Sequence, residues 1–293
     1  MDENRFGLTR RPFPPTPDTA LYYPATAHES ALAALARGIA QDEGILLLTG
    51  APGLGKTLLG YVLLERLDKE VASAFLTNSH FADRSAMLQA ILYDLGLPYE
   101  DASEQALRLR LTEQLLKYCA AKKRTILVID EAHHLSADLL EELRLLANLE
   151  AGSGKALQIV LLAQPKILQL LQQPGLESLH QRIAVRTALG ALGVEEAFDY
   201  LLHHLRLAGV KPEKILDETA LETIARGTHG IPRCLNQAAQ QALVLAEEGE
   251  LPKVDAEAAL EALSMLGMAA EESAEEPEAA AAHPNIQKFM RTA

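Results

Sequence analysis

The stretch LTGAPGLGKTLLG, residues 48–60, joins the apolar run 45–48 to a glycine-bearing loop and a single lysine. Gly50, Gly55, Lys56 and Thr57 have the spacing G-x-x-x-x-G-K-[ST]. A loop of this kind, set between a strand and a helix, turns successive backbone N–H groups and the positive end of the helix dipole toward phosphate oxygens. Gly50, Ala51, Pro52, Gly53, Leu54, Gly55, Lys56, Thr57 and Leu58 are therefore the expected cradle for ATP. In it Lys56 reaches the β and γ phosphates and Thr57 ligates Mg2+.

A second signal is independent of the first. TILVIDEAHHL, residues 125–135, places a continuous apolar run, 126–129, ahead of two carboxylates. Ligands of parallel sheets collect at the carboxyl ends of such strands. Asp130 is expected to hold Mg2+, and Glu131, pointing elsewhere, to polarise a water for attack on the γ phosphate. The letters DEAH also match a helicase box, but after residue 130 too little α/β sequence remains for a second motor fold. His133 with His134, and His203 with His204, have no Cys or further His at ligand spacing and read as surface or packing residues.

Outward from these two segments the pattern repeats. Segments 45–49, 71–77, 124–130, 156–163 and 183–189 read as strands, separated by helical stretches such as 84–95, 103–121 and 136–150. Strands alternating with helices predict an α/β fold, a P-loop parallel sheet covered by helices on both faces. After Leu192 the segments 194–208, 217–227, 232–247 and 255–263 are all helical and predict a small all-α lid. The expected organisation is a Pro/Arg-rich extended arm over 1–27, a nucleotide-binding domain over 28–192, a helical lid over 193–268 and a disordered acidic Ala/Glu-rich tail over 269–293.

Three more polar residues stand where an ATPase would use them. Gln164 follows the strand 157–163, and its amide lies beside Asp130 and Glu131 if that strand is their neighbour. Arg182, between a helix and a strand, is placed to reach a neighbouring subunit's nucleotide, with Arg186 as the alternative. Arg233 falls in the first turn of a helix, just after Gly230 and Pro232, where a cation opposes the helix dipole and suits an anionic ligand better than helix stability.

Composition narrows the setting. With 293 residues, 48% hydrophobic and a formal charge of −13, the chain can bury one large core and a satellite but offers no global attraction to nucleic acid. Two cysteines without partner spacing suit a reducing compartment, and no apolar leader or membrane-length run is evident. A cytoplasmic protein is expected.

The loop 50–57, Asp130 with Glu131, Gln164, Arg182 and the sequence Gly230, Ile231, Pro232, Arg233 together resemble the AAA+ ATPases, and within them the ExeA/GspA group. Phe6, Pro12, Phe13, Pro17, Asp18, Tyr23 and His28 are similar in order to that group's entry segment, so that the resemblance runs from about Phe6 to about Leu263. It implies that Gln164 is sensor one, Arg233 sensor two and the helical segment the lid, with self-assembly into a ring or filament. Secretion members of the group resemble fusions with a membrane span and a peptidoglycan-binding domain, neither of which is evident here. Stand-alone relatives resembling MuB and TnsC imply a different client, a transposase or integrase on duplex DNA, for which the arm with Arg5, Arg10 and Arg11 is the linear candidate. A scaffold that binds ATP without turnover is the remaining alternative, against which Glu131 argues.

Overall fold

The computed structural model describes residues 6–268 apart from 69 and 153; Arg5 and the acidic tail 269–293 lie outside the described residues. The chain divides into two units. One contains residues 26–52 and 56–190, the other residues 1–25, 53–55 and 191–293.

The first unit is built on five parallel strands: β1 (Ile45–Gly50), β2 (Ala72–Leu76), β3 (Thr125–Ile129), a fourth long strand β6 (Gln158–Ala163) and β7 (Ile183–Leu189). Their order is β2-β3-β6-β1-β7. A separate two-stranded antiparallel pair, β4 (Glu150–Ala151) and β5 (Gly154–Lys155), precedes β6. The central strands β1, β3 and β6 are buried along their whole length, whereas β7, at the edge, alternates. Continuous apolar runs are what strands covered on both faces require.

Side chains of period two sort the faces. Ile45, Leu47, Leu127, Ile129, Ile159 and Leu161 join one core with Met87 and Ile91 of α3 (Arg84–Asp94), Leu111 and Leu115 of α4 (Glu104–Ala120) and Leu140 and Leu143 of α5 (Ala137–Leu146). On the other face α1 (Thr26–Ala40) and α2 (Lys56–Arg66) lie so close that a Cβ on Gly38 would meet Leu46 and Val185, and one on Gly60 would meet Phe75 and Leu162. Helix starts are fixed locally: Asp83 caps α3 by accepting from the Ala86 amide at 2.8 Å, and Ser136 caps α5 through Leu139 at 3.4 Å. Short helices α6 (Ile167–Leu170) and α7 (Glu177–Arg182) lead from β6 to β7.

The second unit packs α8 (Val194–Leu207), α9 (Glu218–Gly227), α10 (Pro232–Glu248) and α11 (Ala256–Met265) around a core that includes Leu201, Leu205, Leu221, Ile224, Leu235, Leu243 and Leu263. Gly230 has a φ of +67°, and a Cβ there would run into the Leu192 carbonyl, while its own carbonyl accepts from the Leu192 amide at 2.9 Å. Only glycine fits both demands.

The N-terminal segment belongs to this unit's core. Phe13 is buried and its ring stacks on His204 with centroids 5.6 Å apart. The Pro12 carbonyl accepts from His204 Nδ1 at 2.9 Å, Arg11 Nε donates to Gln240 Oε1 at 3.1 Å, and Tyr23 meets Tyr200 edge-on at 5.9 Å. The segment is irregular apart from a 3-10 turn, Thr19–Leu21, and is held by apolar anchors and these bonds.

Burial holds the His204 pKa down at about 4, against the opposing pull of the Pro12 carbonyl. An unfolded histidine titrates near 6.5, so between about pH 6.5 and 4 the unfolded chain binds the proton first and stability falls as pH falls. Thermal melts of the full chain should therefore decline across that window. His204→Phe should flatten the decline; an unchanged slope would remove His204 from the cause.

Candidate active site

The register puts the functional segments at one end of the sheet. β1 pairs with β6 so that Thr49 lies beside Ala163, and β3 pairs with β6 so that Ile129 lies beside Leu161. Gly50 ends β1, Asp130 follows β3 and Gln164 follows β6, all at the carboxyl end of the sheet.

In the loop, Gly53 and Gly55 adopt φ of +83° and +89°, conformations that L side chains rarely take. Ala51 and Pro52 are exposed, Leu54 is buried, and Lys56 opens α2 with Thr57 and Leu58 behind it. Lys56 is only 5% exposed, and its ammonium donates to the Gly50 carbonyl at 2.9 Å and the Ala51 carbonyl at 3.0 Å. The ammonium is thus folded under the loop's own backbone.

Thr57 Oγ1 donates to Asp130 Oδ2, and Asp130 Oδ1 accepts from the Glu131 amide at 2.8 Å. Asp130 is buried, and burial raises its carboxyl above the ordinary range while the bonds from Thr57 and the Glu131 amide pull the other way. A hydroxyl and a carboxylate in contact, beside a buried ammonium, form a donor set of hard oxygens suited to Mg2+.

Glu131 sits in the left-handed region, φ 52° and ψ 32°, which turns its side chain away from that of Asp130. Ser79, past the end of β2, donates to the carbonyl oxygens of Asp130 and Glu131 at 2.8 and 2.6 Å and fixes this bend. Glu131 Oε2 lies 3.4 Å from Gln164 Nε2. Thr57, Asp130, Glu131 and Gln164 are therefore brought together.

Sequence reasoning passed over His133 as a packing residue. Its side chain is fully buried; Nδ1 accepts from the Gln164 backbone amide at 3.1 Å, and Nε2 lies 3.1 Å from Glu131 Oε2. Burial holds its pKa at about 4. Ligand atoms of Glu131, His133 and His134 lie within 4.8 Å of one another. Because Nδ1 accepts from an N–H, the neutral ring carries its proton on Nε2, which then has no lone pair for a metal. The only signal in the sequence was the residue's place, three after Asp130 in a strand-end turn.

The arginines are placed differently. Arg182 ends α7, is exposed, and among the described residues makes no hydrogen bond or ion pair. Arg186, on β7, is held by its neighbour: Nη2 donates to the His180 carbonyl at 2.5 Å and Nη1 lies 3.0 Å from His180 Nε2. Arg233, in the first turn of α10, donates its backbone N–H to the Gly53 carbonyl at 3.1 Å. A Cβ on Gly53 would sit 3.0 Å from the Cβ of Arg233 and from Ile231 Cγ2, so glycine permits the approach.

The family model described as "AAA domain" matches residues 39–171, a span that takes in the loop, Asp130, Glu131 and Gln164. The fold is that of the P-loop AAA+ proteins, a parallel sheet with helices and a helical region after it, as the alternation of its strands and helices and its loop implied. The chain is similar to General secretion pathway protein A of Aeromonas hydrophila, with 40% identity over 243 residues, covering 82% of this chain and 44% of that protein. The expected resemblance to that group is borne out, and this chain spans less than half the length of the relative. Among solved structures the ORC2 protein of Aeropyrum pernix, in its ADPNP–ADP complexes, is similar at TM-score 0.70 and 18% identity over 92% of this chain and 74% of that one. RuvB of Thermotoga maritima, a Holliday junction branch migration motor, is similar at TM-score 0.55 and 17% identity over 84% of this chain and 73% of that one. At these identities the structural likeness concerns the fold. No helix among the described residues is long and apolar enough to cross a membrane.

Proposed function

We propose that this AAA+ chain binds ATP with Mg2+ and hydrolyses it to switch or drive the assembly of a larger complex. The observation that carries the reading is the joint contact of Thr57 with Asp130 and of Glu131 with Gln164 at the ends of neighbouring strands beside the loop. The loop amides from Gly50 to Leu58 cradle the phosphates, and the Lys56 ammonium exchanges its carbonyl partners for phosphate oxygens. Thr57 and Asp130 hold Mg2+, which when bound neutralises charge on the β and γ oxygens. Glu131 accepts the proton of the attacking water, and Gln164 orients that water as sensor one. Arg233 serves as sensor two from the lid domain, residues 193–268.

Arg182 is the better trans finger of the two arginines, because Arg186 is already occupied by His180. A guanidinium supplied by a neighbour requires a homo-oligomer, a ring or filament. The client is a protein, and the similarity to General secretion pathway protein A favours a secretion- or envelope-assembly apparatus over a transposase or integrase on duplex DNA. The engagement of Arg11 with Gln240 also supports reading the N-terminal segment as a clasp on its own helices and not as a DNA-binding arm. Both cysteines are free, in keeping with a cytoplasmic location.

The test is Mg2+-dependent ATP hydrolysis by the purified chain over a range of protein concentrations. The rate should rise more than linearly, and Arg182→Ala protein mixed with Lys56→Ala protein should regain activity, since each supplies the half-site the other lacks. Strict proportionality without rescue would point to a monomeric enzyme, and absence of turnover to an ATP-binding scaffold.

A further inference from the structure

His133 is a fully buried polar side chain with one nitrogen committed and the other aimed at a reactive carboxylate. Nδ1 is saturated by the Gln164 amide at 3.1 Å. Nε2 has no aligned hydrogen-bond partner, yet lies 3.1 Å from Glu131 Oε2. An orphaned N–H inside a protein costs free energy unless the working state pairs it. Among the described residues the carboxylate beside it is Glu131, whose side chain is 39% exposed. Gln164 touches the same carboxylate from its side-chain amide at 3.4 Å. One residue thus grips Glu131 directly with its side chain and, through its backbone N–H, fixes the ring that faces the same oxygen.

We propose that His133 is a positioning residue, whose Nε2–H donates to Glu131 Oε2 and, locked by the Gln164 backbone, sets the direction in which that carboxylate accepts a proton. The arrangement is a closed loop of Glu131, His133 and Gln164, so that a shift of the β6 end moves both contacts on the carboxylate together. His133 stays neutral and transfers no proton. The reduced basicity that burial imposes on it suits a fixed donor. The inference rests on Glu131 being the base.

The experiment uses the full chain, three single variants and one double variant. His133→Asn keeps an oxygen able to accept from the Gln164 amide but lacks the outer N–H; His133→Gln restores an N–H at the reach of Nε2. For His133→Asn, kcat should fall about 10- to 100-fold, as for a misdirected catalytic group, with the affinity for a fluorescent ATP analogue and the melting temperature unchanged. His133→Gln should recover most of the loss, and His133→Asn should have no further effect in a Glu131→Gln background. Wild-type kcat in His133→Asn, with Glu131→Gln inactive, overturns this inference alone. Parallel losses of affinity and melting temperature in both His133 variants would assign the residue to packing and also overturn it. Inhibition by micromolar Zn2+ that His133→Asn abolishes would place a metal on Nε2, requiring the other tautomer, with the same result. Wild-type turnover in Glu131→Gln itself overturns the reading of the site and this inference with it.

Discussion

Lys56→Ala should abolish detectable ATP binding. Lys56 is 5% exposed and its ammonium is satisfied by the Gly50 and Ala51 carbonyls, so its cost of desolvation is already met by folding. A charge kept dry in this way interacts with phosphate at low effective dielectric, and removing one partner of such a pair costs about 3–5 kcal/mol, or roughly 10²- to 10⁴-fold in affinity. The truncation also leaves two loop carbonyls without their donor, which loosens the cradle. Titration of a fluorescent ATP analogue, with melting curves as the folding control, gives the answer. A folded Lys56→Ala chain that binds as tightly as the parent would remove the loop from the reading.

Glu131→Gln should do the opposite to the two halves of the cycle. The amide has nearly the shape of the carboxylate and can keep its contact with Gln164, and the Thr57–Asp130 pair is untouched, so ATP and Mg2+ should bind as before. What is lost is the acceptor for the proton of the attacking water. Loss of a general base lowers kcat by about 10²- to 10⁴-fold. Single-turnover hydrolysis with labelled ATP should then show a long-lived complex, and any oligomer formed on ATP should persist. Turnover at the parent rate would mean that another group accepts the proton.

Much of this is legible in the amino-acid sequence. The loop declared itself because four fixed residue types occur at fixed spacing, and β3 because 126–129 is a continuous apolar run ending in two acids. The place of Gln164 depended on strand order, which periodicity does not encode; only the pairing of β3 with β6 sets its amide beside Glu131. The hairpin of β4 and β5 was missed because two-residue strands have no period to detect. His133 was undervalued because a histidine's tautomer depends on a backbone amide 31 residues away in sequence. Prolines in the N-terminal segment suggested an extended arm, and so they did not reveal that Phe13 and Pro12 meet His204 across 191 and 192 positions of chain; the apolar anchors Leu8, Phe13 and Leu21 were the readable clue.

The backbone at Glu131 has a wider meaning. Left-handed geometry at a residue with a Cβ costs roughly 1–2 kcal/mol, a cost that glycine avoids and asparagine feels less. At φ 52° this position asks for the very residues that hydrolysis forbids. Durability and turnover therefore pull against each other at a single site. A lineage released from the need to split ATP would be expected to drift there toward glycine or asparagine and become sturdier as it falls silent, whereas one that must keep working carries the strain in every generation.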